Sequence, residues 1–294
     1  MTELALEIIN ILAPSVLIAL IGLTWFHKGP VFPVDFATTL VLNISGPAFM
    51  FYTLASLSVP VATLGKVALA TLVVHIVFAF AAITVLKVCR KDIHLCMSFV
   101  VGNTGNLGLP VCFFAFGNEG LAYAMTFFSV QCLLLFSMGD ALYAGSLNVG
   151  RVLRSPILHA IWIGLLINAI ALPVPDAVMN STELLGQILI PLMLLTLGYS
   201  LASMRANQLW STIRWSALRT LMAVVVGFGI SELIALEGVA RSVVIVQTVV
   251  PVAVFNYLLT LKHGHDVSEV SGMILVTHLA AIVYLPIVLG VLLQ

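Results

Sequence analysis

The chain has 294 residues, 61% of them hydrophobic and 8% charged, with zero formal net charge and a mean hydropathy of +1.17. Such a composition excludes a soluble domain and indicates a polytopic membrane protein. Without a basic face or a charged tail there is no nucleic-acid partner to expect, so the partners are the lipid bilayer and a small solute.

A membrane-spanning helix needs about 20 apolar residues. Windows of that size fall at 4–26, 34–57, 64–86, 93–116 and 121–145, then at 152–172, 182–203, 212–235, 240–261 and 269–293, which predicts ten spans. The first is preceded by Glu3 and Glu7 rather than lysines and is too long for a signal-peptide core, so it is read as span 1. Lys and Arg are retained on the cytoplasmic side of a membrane. The loops after spans 1, 3, 5, 7 and 9 carry or adjoin Lys28, Lys87, Arg90, Lys91, Arg151, Arg154, Arg205, Arg214, Arg219 and Lys262, whereas the other side has Lys66 and Arg241. This bias predicts that both termini lie outside the cytoplasm.

Span 4 contains Gly102-Asn103-Thr104-Gly105-Asn106-Leu107-Gly108-Leu109-Pro110. The glycines Gly102, Gly105 and Gly108, together with Pro110 and two amides, are incompatible with an unbroken helix, and in hydrocarbon every freed peptide group needs a partner. A break of this kind survives where it faces a cavity or a ligand. Span 9 repeats the device at Pro251. Pro14, Pro47 and Pro110 have counterparts in Pro156, Pro191 and Pro251 at offsets of 142, 144 and 141 residues. Three collinear matches predict a five-plus-five inverted repeat, residues 1–145 and 151–294. If helices restart near Pro110 and Pro251, their unpaired N–H groups form seats for an anion, and the helix ends before them present bare carbonyls.

The polar side chains at the breaks fit that reading. Asn103, Thr104 and Asn106 donate and accept; Gln247 and Thr248 precede Pro251, Asn256 follows it, and Gln131 stands alone in span 5. The competing reading is that these amides cap loose backbone groups. Asp140 and Glu232 lie toward the ends of their spans and read as solvated or structural. His75, His159 and His278 lack metal-ligand spacing, and Cys89, Cys96, Cys112 and Cys132 read as small buried hydrophobes, so neither a metal nor a cofactor is expected. No buried lysine or arginine is evident in sequence to neutralise an anion. That favours a carboxylate over a multiply charged phosphate.

At 102–110, and again at Val250-Pro251-Val252-Ala253-Val254-Phe255-Asn256-Tyr257-Leu258-Leu259, the sequence resembles the auxin efflux carrier family, in particular its bacterial members. Asn43-Ile44-Ser45 followed by Pro47 is a looser echo. The resemblance implies an all-α carrier of the broader bile-acid-transporter-like fold, with helices 4 and 9 broken and crossing. Spans 1, 2, 6 and 7 would form a scaffold, often a homodimer, and spans 3–5 and 8–10 a moving transport domain. It also implies that Asn103 contacts a substrate carboxylate. In many relatives an acidic residue stands about four positions before the span 9 proline; here that residue is Gln247, which puts sodium coupling in doubt.

The expected function is therefore a secondary transporter, not an enzyme, that moves a small organic anion across the cytoplasmic (inner) membrane of a prokaryote by elevator-like alternating access. Its expected substrate-binding residues are Asn103, Thr104, Asn106, Pro110, Gln131, Gln247, Pro251 and Asn256. The alternatives are a sodium-coupled symporter for an amphipathic acid of the bile-acid type and, from another class, a membrane sensor or intramembrane enzyme. An enzyme would need a spaced catalytic pair, such as His with Glu, and none is evident in the spans.

Overall fold

The computed structural model describes residues 2–56, 61–135, 154, 156–170, 172–204 and 209–294, and these are almost wholly helical. Asp140, Arg151, Arg205 and most of the central loop near Gly150 lie outside the described residues. In chain order the helices are α1 Thr2–Lys28, α2 Val34–Ser56, α3 Val61–Val88, α4 Cys96–Val100 and α5 Thr104–Leu134. There follow α6 Pro156–Ala169, α7 Asp176–Ser203, α8 Leu209–Leu233, α9 Gly238–Val249, α10 Phe255–Lys262 and α11 Ser268–Leu292.

Among the described residues, α1, α2, α3, α5, α7, α8 and α11 are the 7 helices long and apolar enough to cross a membrane. The outside of the molecule is correspondingly apolar. Phe80, Trp162, Trp210 and Leu233 are each more than two-thirds exposed, which water would penalise and acyl chains do not.

One of the seven is in fact two arms. At Gly117 the backbone takes φ 63° and ψ −154°, a conformation open to glycine and strained for other residues. Three residues later, a Cβ on Gly120 would contact the Cys112 carbonyl, an atom that a straight helix would hold about 12 Å away. The chain therefore doubles back, and 104–116 and 118–134 pack as neighbours.

Two π-helical turns, Val41–Ser45 and Thr104–Gly108, stand a short step before Pro47 and Pro110. Proline inside a helix clashes with the carbonyl four residues back and cannot donate to it. A π turn displaces that carbonyl, so each helix passes its proline without ending. At the second turn, Gly108 N donates to Asn103 O at 3.0 Å, a bond spanning five residues. The position of the interruption is thereby corrected: helical geometry resumes at Thr104, not near Pro110, and Gly105 and Gly108 lie within the helix.

Packing brings α1 against the second part of α7, and α2 against α6. At the first contact a Cβ on Gly22 would strike the Leu195 carbonyl, and one on Gly198 the Ala19 carbonyl. The backbones touch there, as small residues permit between helices in lipid. Helix α5 rests on α3 and α9, while α8 joins α9, α11 and α3. The site lies along the seam where α5 meets α2 and α7.

Candidate functional site

Between α4 and α5 the chain is extended at Val101 (φ −93°, ψ 103°), and after α9 it is extended at Val250 (φ −51°, ψ 152°). The two interruptions lie side by side. Asn103 N donates to Pro251 O at 2.7 Å and Ala253 N to Val101 O at 3.1 Å, which makes one antiparallel bridge, Gly102 to Val252. Val252 N donates to Thr277 Oγ1 of α11 at 3.1 Å. Each interruption thus supplies the other with the backbone partners that lipid cannot.

The carbonyl ends at this crossing carry an arginine. Arg219 of α8 is wholly buried; its Nε donates to Phe99 O at 3.3 Å and its Nη1 to Val250 O at 2.5 Å. Tyr284 Oη donates to the adjacent Val249 carbonyl at 2.9 Å. Arg219, which in sequence counts among the positive charges near the span ends, is thus a buried cation, but its hydrogen bonds go to backbone carbonyls and it does not line the cavity on the other flank of the crossing. Ten residues into α8, the side chain turns inward because α4 and α9 end against that face.

A cavity of about 270 Å³ opens on the other flank of the crossing. Asn103, Thr104, Asn106 and Gln131 line it, with Gly102 and Gly105, and Ala253 to Phe255 and Tyr257 form the wall beside them. Its mouth lies between the start of α2, with Asp35 and Thr38, and the end of α7, with Tyr199 and Ser203. Asp35 is the one carboxylate among its lining residues, which include no His, Lys or Arg, and it is exposed.

The wall side chains are held from behind. Asn103 caps α5 in sequence position only, because its side chain makes no cap bond; instead Nδ2 lies 3.0 Å from His278 Nε2. His278 Nδ1 lies 2.8 Å from the Ile274 carbonyl, so Nδ1 carries the proton and Nε2 accepts from Asn103. One amide hydrogen and the Asn103 oxygen remain. Gln131 donates through Nε2 to Gly102 O at 2.9 Å and to Thr104 Oγ1 at 2.7 Å, and His75 Nε2 lies 3.3 Å from its Oε1. The first N–H groups of α5, at Thr104, Gly105 and Asn106, have no carbonyl a turn earlier. They end on the cavity wall.

The remaining four predicted residues do not line this cavity. Pro110 is buried in α5, and the Pro251 carbonyl is occupied by Asn103 N. Gln247, also buried, donates to the Ala124 carbonyl at 3.3 Å. Gly108 lies against it, where a Cβ would overlap Gln247 Oε1. Asn256 faces backwards and donates to Met97 O at 3.1 Å and Val101 O at 3.2 Å, covering carbonyls at the end of α4. Glu232 is exposed near Arg241, 3.8 Å away.

The family model described as a membrane transport protein matches residues 144–289. Over that stretch the chain is similar to membrane transport proteins of the auxin efflux carrier family, and it is a membrane transporter rather than an enzyme. An uncharacterized transporter of Methanothermobacter thermautotrophicus is 29% identical over 204 residues, 67% of this chain and 67% of the relative. A second, from Methanocaldococcus jannaschii, is 26% identical over 193 residues, 60% of this chain and 61% of the relative. The matched 144–289 stretch includes Arg219, Pro251 and Asn256, so it holds the clamp of the crossing, whereas the cavity-lining Asn103 and Asn106 lie before it.

Proposed function

We propose that this transporter carries a small organic anion, a carboxylate, across the cytoplasmic membrane by elevator-like alternating access. The observation that carries the reading is the open N-terminal end of α5 on the wall of a 270 Å³ cavity, flanked by Asn103, Thr104, Asn106 and Gln131. A helix N-terminus has the partial positive charge and the free N–H groups that a carboxylate needs. The cavity lies just below the ~300–1,000 Å³ usual for ligand sites, which suits a small solute. Asn103 binds the carboxylate through its remaining amide hydrogen, and the Thr104 to Asn106 N–H groups share its charge.

In this reading the ten spans form a five-plus-five inverted repeat. Spans 1, 2, 6 and 7 are the scaffold, through which two copies pair, and the rest are the moving part. Two features support it. The glycine-mediated contacts of α1 with α7 and the packing of α2 on α6 tie the scaffold elements to each other. A second cleft of about 430 Å³, lined by Tyr52, Thr53, Asn118, Glu183 and Gln187, occupies the opposite end of the seam between α2, α7 and the arms of α5. A substrate carried along that seam would pass from one cleft to the other. By the distribution of Lys and Arg, the cavity beside Asn103 faces the cytoplasm.

The test is flux through purified protein in liposomes with a panel of radiolabelled mono- and dicarboxylates. Transport of at least one, lost in Asn103→Ala, is the expected outcome; a variant that transports the whole panel as well as the parent removes Asn103 from the site.

A further inference from the structure

Arg219 is the only buried Lys or Arg among the described residues. In hydrocarbon-like surroundings an isolated cation is costly, and buried charges are normally paired. No carboxylate pairs with it among the described residues. What it has instead is the end of α4, through Phe99 O, and the end of α9, through Val250 O, with Val249 O at the limit of hydrogen bonding at 3.5 Å. The carbonyls left free at each helix C-terminus carry partial negative charge. Two such ends converge here because the interruptions cross. Arg219 Nη2 remains buried without a hydrogen-bond partner, beside Gly102, where an added Cβ would come within 3.2 Å of it.

Interrupted transporter helices commonly use such unwound carbonyls and half-helix C-termini to ligate a sodium ion or proton. The same carbonyls are occupied here by a guanidinium on a fixed stem. Gln247, which precedes the α9 interruption, is neutral and adds no negative charge to offset a second cation there.

We propose that the Arg219 guanidinium is a tethered replacement for a coupling cation, and that removing it opens a sodium site on the Phe99, Val249 and Val250 carbonyls. The proposal rests on the carrier reading above but not on the identity of its substrate. It gives the converging carbonyl ends a counter-charge supplied by the chain itself, and it predicts a carrier indifferent to sodium.

The experiment measures thermal unfolding of the full chain in detergent, in sodium, lithium, potassium or choline chloride at equal ionic strength. Ligands that bind only the folded state raise its apparent stability. The parent and Arg219→Lys are expected to melt at one temperature in all four salts. Arg219→Gln, whose amide still donates to one carbonyl, and Arg219→Ala are expected to melt lower in choline and to regain several degrees in sodium or lithium. Recovery of either variant as folded protein only when sodium is present is the same result. A sodium-specific shift in the parent overturns the proposal. So does a neutral variant that folds without any cation response, or the loss of both neutral variants in every salt. These readouts do not involve a carboxylate: if Asn103→Ala keeps full transport, the substrate reading falls and the cation result stands by itself.

Discussion

The two interruptions of this protein look alike in sequence and do opposite work. Both place a proline among small or apolar residues in an apolar segment, and both leave helical geometry where they cross. At 101–103 the chain emerges into a helix whose first N–H groups and Asn103 face a cavity. After α9 it emerges differently. Asn256 N donates to Ala253 O and Tyr257 N to Val254 O, both at 3.1 Å, so α10 satisfies its own first N–H groups by tight turns. The Asn256 side chain turns back onto α4. Of two helix starts, one opens onto a cavity and the other is closed by its own backbone. What separates them is the backbone bonding of the following helix's first turn together with where the amide points, not the presence of a break.

The comparison can be broken most directly at the two asparagines. Asn103→Ala removes a donor to a charged ligand, a contact of about 1.5–3 kcal/mol, and should lower apparent carboxylate affinity by ~10- to 100-fold at nearly unchanged melting temperature. Binding and melting curves measured on one preparation check both halves. Gly108→Ala comes next. The new methyl collides with Gln247 Oε1 and should destabilise by about 1–3 kcal/mol, and Gln247→Ala in the same chain should return much of that loss. A double-mutant cycle without coupling would show that the two sides of the crossing do not press on each other.

Asn256→Ala should show the reverse of the Asn103 result. Two buried hydrogen bonds at about 1 kcal/mol each predict a loss of ~2 kcal/mol in stability, read as a lower melting temperature, with ligand affinity of the folded fraction retained. An affinity loss without a stability loss would move Asn256 to the cavity side of the comparison. The smallest effect is expected from Asp35→Asn at the mouth. Removing an exposed like charge should raise the on-rate for an anion by about twofold in low salt, and the gain should vanish near 0.5 M salt, where exposed charges are screened.

Much of the fold was legible because hydrophobic runs report directly on lipid. The span windows 93–116 and 121–145 separate close to Gly117, where the two arms of α5 part. The 102–110 stretch was legible as a break because glycine, proline and amides are costly in such a run, although the π turn at Thr104–Gly108 let Pro110 remain inside the helix. Arg219 was not legible. In Trp215-Ser216-Ala217-Leu218-Arg219 it reads as a positive charge near the cytoplasmic end of a span. Its partners lie 120 residues back at Phe99 and 31 residues on at Val250.

By itself, then, the sequence determines the solvent of this chain, the places where its helices cannot continue and the polar groups available there. Those follow from composition and from the local cost of each residue in a helix. Only the tertiary structure decides which of those polar groups face a ligand and which bind the backbone. Asn103 and Asn256 are chemically the same amide. One lies beside a cavity at an open helix start, and the other lies against carbonyls that the crossing brings within hydrogen-bonding distance, and that difference arises only when segments about 150 residues apart meet.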